Sequence, residues 1–253
     1  MNGVAIRATE IEKKRIRLTV KLSTSMKAAA IGGVALLALT SCAANEGGST
    51  SEEGSASSLS GTLNGSGASS QDAAQQAWIA GFQTANDAVT INYDPTGSGT
   101  GREQFQQGAT AFAGSDRAFK LEEIEAGPFD SCAADSDIVE FPAYISPIAI
   151  IFSVEGVDSL NLDADTVARI FTGEITKWND PAIAATNEGT DLPDLAITAV
   201  HRSDDSGTTG NFTDYLSAAA PDAWTVGSIE TWPTEFGGDG ANGTSGVVDA
   251  VKN

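Results

Sequence analysis

The sequence predicts an α/β protein whose strands form a largely parallel sheet. Three short segments, residues 60–63, 89–93 and 111–116, have the apolar and β-branched composition of strands, and helical periodicity follows the first two. A fourth such segment, residues 195–200, precedes another helical pattern. Alternation of strands and helices is typical of parallel sheets covered by helices. A chain of 253 residues is also long enough for two modest domains.

The charge of the chain is unevenly distributed. The residues before position 42 hold seven Lys or Arg and two Asp or Glu, whereas the rest holds seven Lys or Arg against 32 Asp or Glu, a formal net charge of −25. Such an acidic body repels nucleic acids and anionic membrane surfaces, so we expect neither as a partner. Any anion that it binds must be held by local donors.

The N-terminus has the pattern of an export signal. Basic residues precede an apolar run, residues 28–39, which is too short to span a bilayer. Small residues then come directly before Cys42, as in the lipobox of bacterial lipoproteins. We expect residues 1–41 to be a lipoprotein signal peptide that starts at Met1 or at Met26, with Cys42 lipidated. The alternative is a plain secretory signal in which this cysteine is incidental.

Residues 42–58 are rich in Ser, Gly, Glu and Ala and contain almost nothing to bury. This composition predicts a flexible tether between the membrane and the folded body. If Cys42 is lipidated, Cys132 has no cysteine partner within the chain, and the sequence leaves open whether it is buried or paired with another molecule.

Four strand-to-helix junctions carry small residues and hydroxyls. Residues 65–70 and 97–101 are glycine- and serine-rich and precede helical patterns, and residues 111–116 end in a carboxylate. In the fourth junction, residues 201–208, Arg202 precedes the sequence Ser-Gly-Thr. The first turn of a helix offers unpaired backbone N–H groups and partial positive charge, which suit an oxyanion. Each junction alone is also compatible with an ordinary tight turn or an N-cap.

Strand ends in a parallel sheet meet at one edge, and ligands bind there. The junctions together therefore predict a site for a small oxyanion, to which Arg202 adds a charged donor. Residues 97–101 lack the spacing of a dinucleotide fingerprint, and no junction ends in the Gly-Lys-Ser/Thr of a nucleotide P-loop.

The second half of the chain has recognisable element boundaries. Asp163 is the predicted N-cap of a helix with Val167, Ile170 and Phe171 on its buried face, and Gly173 lies where a C-terminal glycine is expected. A turn at 175–181 leads into a short Ala-rich helix. Residues 141–154 are the most apolar run of the body, and we interpret them as strands that connect two domains, 59–143 and 144–253.

These segments resemble the phosphate-binding proteins of bacterial phosphate ABC transporters, over roughly residues 59–253. The resemblance implies a type II periplasmic-binding-protein fold, in which two α/β domains close on inorganic phosphate held in the cleft between them. The segments that carry it are GSGASS at 65–70, GSG at 97–99, AGSD at 113–116, ITKWNDP at 175–181 and HRSDDSGTT at 201–209.

Carried over position by position, the resemblance also implies the residues of the site. Asp204 matches a family aspartate that pairs with the arginine. The implied phosphate ligands are Ser69, Ser70, Ser98, Asp116, Arg202, Ser206, Gly207 and Thr208.

The sequence departs from the family pattern in three respects. Ser70 stands where many relatives have Phe, at a position that donates through its backbone N–H. Asp205 replaces a common glycine and adds a negative charge near the anion, so we expect it to point away from the ligand. Relatives continue beyond the position that matches Asn253. We therefore expect a truncated chain that folds poorly, with the C-terminal return of the first domain and the end of the second domain missing.

The expected function is high-affinity uptake of phosphate as the lipid-anchored, monomeric binding subunit of an ABC transporter, on the extracytoplasmic face of the membrane. The expected partners are phosphate and the permease, and no cofactor or metal is expected. Alternatives are a binding protein for sulfate or molybdate and a phosphate sensor. A remote alternative is a phosphoryl- or acyl-transfer enzyme with Ser206 as nucleophile and His201 as base. Because His201 and Arg202 are neighbours on a strand, their side chains should face opposite sides.

Overall fold

The computed structural model describes residues 59–133 and 136–253, and the described residues belong to one compact unit. The predicted signal peptide, the tether and the lipidation site at Cys42 lie outside the described residues. The proposed division into domains at 143 and 144 stays a prediction.

A three-stranded parallel sheet forms the first half. Strand β1 (Gly61–Gly67) lies between β2 (Val89–Asp94) and β3 (Phe112–Gly114). Gly61 pairs with Val89 and Gly65 with Phe112, so the carboxyl ends of all three strands meet at one edge. Strand β1 is exposed at its first four residues and buried at its last three. The predicted parallel sheet is confirmed, and the junctions at 65–70, 97–101 and 111–116 lie at its carboxyl edge, whereas the junction at 201–208 follows a strand of a second sheet.

Helices follow the first two strands, as predicted. A 3₁₀ turn (Ser69–Gln71) leads into α1 (Asp72–Ala85), and α2 (Ser98–Gln106) follows β2. Gly101 of α2 packs against β1, because an added Cβ there would lie 2.4 Å from the Cα of Gly67. A short helix, α3 (Leu121–Ala126), comes after β3.

The apolar face predicted for α1 is present but not buried. Trp78 and Phe82 are 46% and 43% exposed, and no residue of α1 is fully buried. Trp78 packs edge-to-face against Tyr144, with ring centroids 5.7 Å apart. Periodicity predicted the helix correctly, but burial depends on a neighbouring element, and the described residues leave this face largely uncovered.

The hydrophobic core lies in the second half. Helix α4 (Ala164–Phe171) buries Val167, Ala168 and Ile170, and α5 (Pro181–Thr186) buries Ile183. The Asp163 carboxylate accepts a bond from the Thr166 N–H, as expected of an N-cap. Gly173 has φ 78°, the left-handed conformation in which glycine ends a helix. The larger core cluster comprises Val167, Ala168, Leu216, Ala220, Trp224 and Trp232.

Two further parallel strands precede the last two helices. Strand β4 (Val200–Arg202) pairs with β5 (Asp239–Ala241). Helix α6 (Gly207–Ala219) follows β4, and α7 (Gly243–Lys252) follows β5. A 3₁₀ turn (Thr234–Phe236) precedes β5.

Two strand predictions were wrong. The strand expected at 195–200 overlaps β4 only at Val200, because β5 pairs only with residues 200–202, and Ala196 instead forms an isolated antiparallel bridge with Lys177. Residues 141–154 form no strand, since nothing in the described part of the chain pairs with them, and prolines at 142 and 147 lack an N–H to donate. Within the described ranges, no helix has the length and apolar character needed to cross a membrane.

Candidate functional site

Asp116 lies at the centre of the buried sheet edge, two residues after β3. The Ser70 hydroxyl donates to its Oδ1 at 2.6 Å, and the Thr208 hydroxyl donates to its Oδ2 at 3.0 Å. These partners come from opposite halves of the chain, 46 residues before and 92 residues after the aspartate. The structure therefore brings together three residues that the sequence predicted separately.

Three helix N-termini converge around this carboxylate. Ser69 and Ser70 lie in the 3₁₀ turn that leads into α1, and Ser98 is the first residue of α2. Ser206 is the N-cap of α6, and its hydroxyl accepts from the Thr209 N–H at 3.2 Å. The N–H of Asp116 donates to the Ser98 hydroxyl at 3.2 Å, and Ser98 and Ser206 are each 1% exposed. Free amides at helix starts and the positive ends of three helices thus face one buried region.

Gly207 allows the closest approach in the site. A Cβ added there would lie 2.5 Å from the Ser98 hydroxyl and 2.8 Å from the Cβ of Asp116. Real Cβ atoms do not approach other atoms so closely. Only a residue without a side chain lets the N-terminus of α6 lie against both neighbours.

Arg202 ends β4 and is 6% exposed. Its Nε donates to Oδ1 of Asp204 at 2.7 Å, and its Nη2 forms a short ion pair with Oδ2 of the same carboxylate. The expected pairing of these residues is therefore present. One edge of the guanidinium is occupied, so a two-pronged contact with an anion would use the edge formed by Nη1 and Nη2.

Asp204 links Arg202 to the start of α7. Its Oδ1 also accepts from the Gly243 N–H at 3.1 Å, and an added Cβ on Gly97 would lie 2.6 Å from its Oδ2. Burial opposes ionisation, but the bonds from the guanidinium and from the amide outweigh it, so the pKa of Asp204 lies below its usual value. The carboxylate stays ionised and holds Arg202 in place.

The start of α7 is the part of the site that the sequence interpretation missed. Thr244 donates its N–H to the Ser69 hydroxyl at 3.0 Å, and the two hydroxyl oxygens are 3.2 Å apart. The segment Asn-Gly-Thr-Ser-Gly at 242–246 resembles the other strand-to-helix junctions. That composition, after a short strand, was the signal that could have identified it.

Asp205 does not point into solvent. It is half-buried, its Oδ2 would collide with a Cβ on Gly99, and its Oδ1 is 3.4 Å from the Thr231 hydroxyl that donates to it. Burial, together with the negative charge of Glu230, raises its pKa above the usual value. Its described contacts do not include the residues predicted to bind the anion.

His201 makes contacts of a structural kind. Its ring stacks on Trp232 with centroids 4.8 Å apart, and its Nδ1 lies 2.9 Å from the Arg202 carbonyl oxygen. The Ser206 hydroxyl is occupied as a helix cap. Residues 59–133 and 136–253 contain no cluster of three or more His, Cys, Asp or Glu side chains placed to hold a metal ion.

The site combines serine and threonine hydroxyls, helix-terminal amides and one arginine with a single central carboxylate. Parallel strands, helix N-termini and this polar edge define an α/β protein with a candidate site for a small anion. The chain belongs to the PBP superfamily, whose domain model matches residues 51–253.

Several curated proteins are similar to the chain. It is 37% identical over 243 residues to the phosphate-binding protein PstS2 of Mycobacterium bovis, which covers 91% of the chain and 64% of the relative. It is 38% identical over 234 residues to the phosphate-binding protein PstS3 of the same species, covering 89% and 62%. The chain thus spans less than two thirds of the length of these relatives.

A solved structure supports the fold. It is a candidate phosphate ABC transporter substrate-binding protein with bound phosphate from Clostridium perfringens. It superposes with a TM-score of 0.52 at 21% identity, covering 76% of this chain and 67% of that one.

Proposed function

We propose that this protein binds inorganic phosphate outside the cytoplasmic membrane and delivers it to the permease of an ABC transporter. The observation that carries the proposal is the Asp116 carboxylate among three helix N-termini, bonded to the hydroxyls of Ser70 and Thr208. The names of the similar mycobacterial proteins point the same way.

The donors suit a tetrahedral oxyanion. Hydroxyls and amides at the starts of α2 and α6, together with the free edge of Arg202, can surround its oxygens. In this proposal the ligands are Ser69, Ser70, Ser98, Asp116, Arg202, Ser206, Gly207 and Thr208, and Asp204 orients the arginine.

Asp116 decides which oxyanion fits. An ionised carboxylate only accepts hydrogen bonds, and each of its oxygens retains accepting capacity beyond one hydroxyl partner. Phosphate at neutral pH still carries a proton that it can donate to Asp116, whereas sulfate carries none. Sulfate would therefore place two negative groups together in a poorly solvated cleft, which disfavours it.

Three alternatives remain in competition. Sulfate or molybdate binding would place an anion without a proton to donate beside the Asp116 carboxylate, which disfavours it. The enzyme alternative needs His201 to activate Ser206, and the stacking of that ring on Trp232 and the capping role of Ser206 give no support to it. A phosphate sensor would share the site and differ only in its partner.

The remaining parts of the proposal concern the membrane. Cys42 is proposed as the lipid anchor and residues 42–58 as the tether, which would place a monomeric body at the extracytoplasmic face of the membrane. The permease is then the partner that receives phosphate. The acidic body itself offers no attraction to an anionic bilayer.

A calorimetric titration with phosphate, sulfate and molybdate tests the proposal. We expect phosphate to bind and sulfate to bind about 100-fold more weakly or not at all at pH 7. Asp116→Asn should narrow the difference between the affinities for phosphate and sulfate, because a neutral amide still accepts a hydrogen bond from phosphate but does not repel sulfate. Asp87→Asn, an equal change of charge in the exposed turn before β2, at the opposite end of the strand from the site, is the control. Comparable binding of both anions by the unaltered protein, or full discrimination by Asp116→Asn, would refute the role of this carboxylate.

A further inference from the structure

Arg102 is a buried cation whose charge the proposed ligand set does not use. It lies on α2, one turn after Ser98, and is 5% exposed. Its Nη1 donates to the Ser115 hydroxyl at 2.8 Å, and its Nη2 donates to Oε2 of Glu230 at 2.5 Å. A fully buried arginine is uncommon unless it is paired, so these two bonds account for its position.

Glu230 connects Arg102 to the opposite half of the chain. Its backbone carbonyl accepts from the N–H of Ser206 at 3.1 Å, and its side chain lies against Gly210, where an added Cβ would be 3.0 Å from its Cγ. Its Oε2 also accepts from Nε of Arg117 at 2.9 Å. The same residue is thus bonded to the N-cap of α6 through its backbone and to the α2 helix through its side chain.

The pair joins three loops of the candidate site. Arg102 shares a helix with Ser98, contacts the residue directly before Asp116, and is bonded to the residue that holds Ser206. Ser115 and Glu230 are 13 and 128 positions from Arg102 along the chain.

We propose that Arg102 and Glu230 are positioning residues for the anion site: their buried ion pair fixes Ser98, Asp116 and Ser206 relative to one another. Neither side chain touches the anion in this proposal. The inference rests on the proposed function, because the arrangement that it fixes is the proposed phosphate site.

The charges near the pair support this role. Glu230 and the half-buried Asp205 are both negative, and the guanidinium groups of Arg102 and Arg117 offset them. Oε1 of Glu230 is buried without a hydrogen-bond partner among the described residues. A buried ion pair is weak evidence of net stabilisation, whereas removal of one partner leaves an uncompensated charge. Without Arg102, Glu230 would keep only Arg117 as a counterion, which it shares with Glu123, and the excess negative charge would lie beside the N-terminus of α6, where the anion binds in this proposal.

The test begins with Arg102→Met in the full chain. We expect phosphate affinity to fall about tenfold or more, measured by calorimetry well below the thermal transition. Because the contact with Ser115 positions Asp116, the ratio of phosphate to sulfate affinity should fall as well. A role in stability alone would lower the thermal midpoint and leave this ratio unchanged.

Arg169→Met is the matched control, since it removes the same charge from a half-exposed arginine paired with Asp165 and Glu174 on the surface. Arg102→Lys should recover part of the loss, because an ammonium restores the charge but cannot bond both partners in the same geometry. If Arg102→Met does not fold cooperatively, the isosteric Glu230→Gln carries the test, with an expected loss of about threefold or more.

The outcomes separate the two proposals. Failure of the unaltered protein to bind phosphate would overturn both. Phosphate binding by the unaltered protein with no change of affinity or anion ratio in Arg102→Met, or in Glu230→Gln if that variant carries the test, would overturn only the positioning role. Equal losses in Arg102→Met and the control would also overturn it, since they would reflect net charge.

Discussion

Gly207→Ala tests the packing that brings the two halves of the site together. The added methyl group would lie 2.5 Å from the Ser98 hydroxyl and 2.8 and 2.9 Å from the Cβ atoms of Asp116 and Ser98. All three atoms belong to parts of the chain that cannot move without displacing predicted ligands. Forcing one extra carbon into such a contact costs about 1–3 kcal/mol.

If this contact forms only when phosphate binds, the cost appears as weaker phosphate binding, by about 5- to 150-fold for that range of energies. If the contact is already present in the protein without phosphate, the cost appears as a lower thermal midpoint of the protein without phosphate. Calorimetry with phosphate and thermal unfolding, each on the same preparation of Gly207→Ala, measure both contributions.

Gly81→Ala is the control, because Gly81 lies inside α1 and an added Cβ would have no atom within 4 Å. Replacing a glycine inside a helix by alanine should stabilise the protein by about 0.5–1 kcal/mol and leave binding unchanged. If Gly207→Ala retains both the affinity and the thermal midpoint of the unaltered protein, the close approach of α6 to Ser98 is wrong.

Three further predictions concern charge and anchoring. Arg202→Lys should weaken phosphate binding by on the order of 2–5 kcal/mol in calorimetry, because an ammonium cannot present two parallel donors; a change below about twofold would contradict this. The hydrogen bond from Arg117 lowers the pKa of Glu123 from 4.5 to about 2, so its stabilisation is present above pH 4.5 and is lost as the pH falls towards 2. As the pH falls from 4.5 towards 2, the thermal midpoint of Glu123→Gln should therefore decline less than that of the unaltered protein. Parallel curves of thermal midpoint against pH for the two proteins would refute the pairing of Glu123 with Arg117. Cys42→Ala should abolish fatty-acid labelling and leave the protein released from the membrane or unprocessed in it, and unchanged labelling would exclude Cys42 as the anchor.

Local patterns in the sequence determined most of the elements and the junctions that hold the ligand candidates, whereas the full set of candidates came from the family resemblance. The N-cap at Asp163, the glycine at 173 and the helix after Ser206 were all predictable, because caps and helix periodicity depend on residues a few positions apart. The clustering of the serine-rich junctions at one sheet edge followed from the parallel topology that strand–helix alternation implies.

Extent and burial of strands were less predictable. Strand β4 covers only three residues because its partner β5 is that short, and residues 141–154 have no partner strand among the described residues despite their apolar composition. Composition favours an extended backbone, but a strand also needs hydrogen bonds from a neighbouring strand, and that neighbour is often distant in sequence. The apolar face of α1 illustrates the same point for burial.

Only the tertiary structure decided which charged groups and helix ends that are distant in sequence come into contact. The sequence alone gave no reason to pair Arg102 with Glu230, 128 positions away, or to place Thr244 beside Ser69, 175 positions away. A charged or hydroxyl side chain can find many partners of suitable chemistry, and local spacing does not choose among them. The choice is made by the packing of whole helices and strands, which sets the few positions where such groups can be buried and still be hydrogen-bonded.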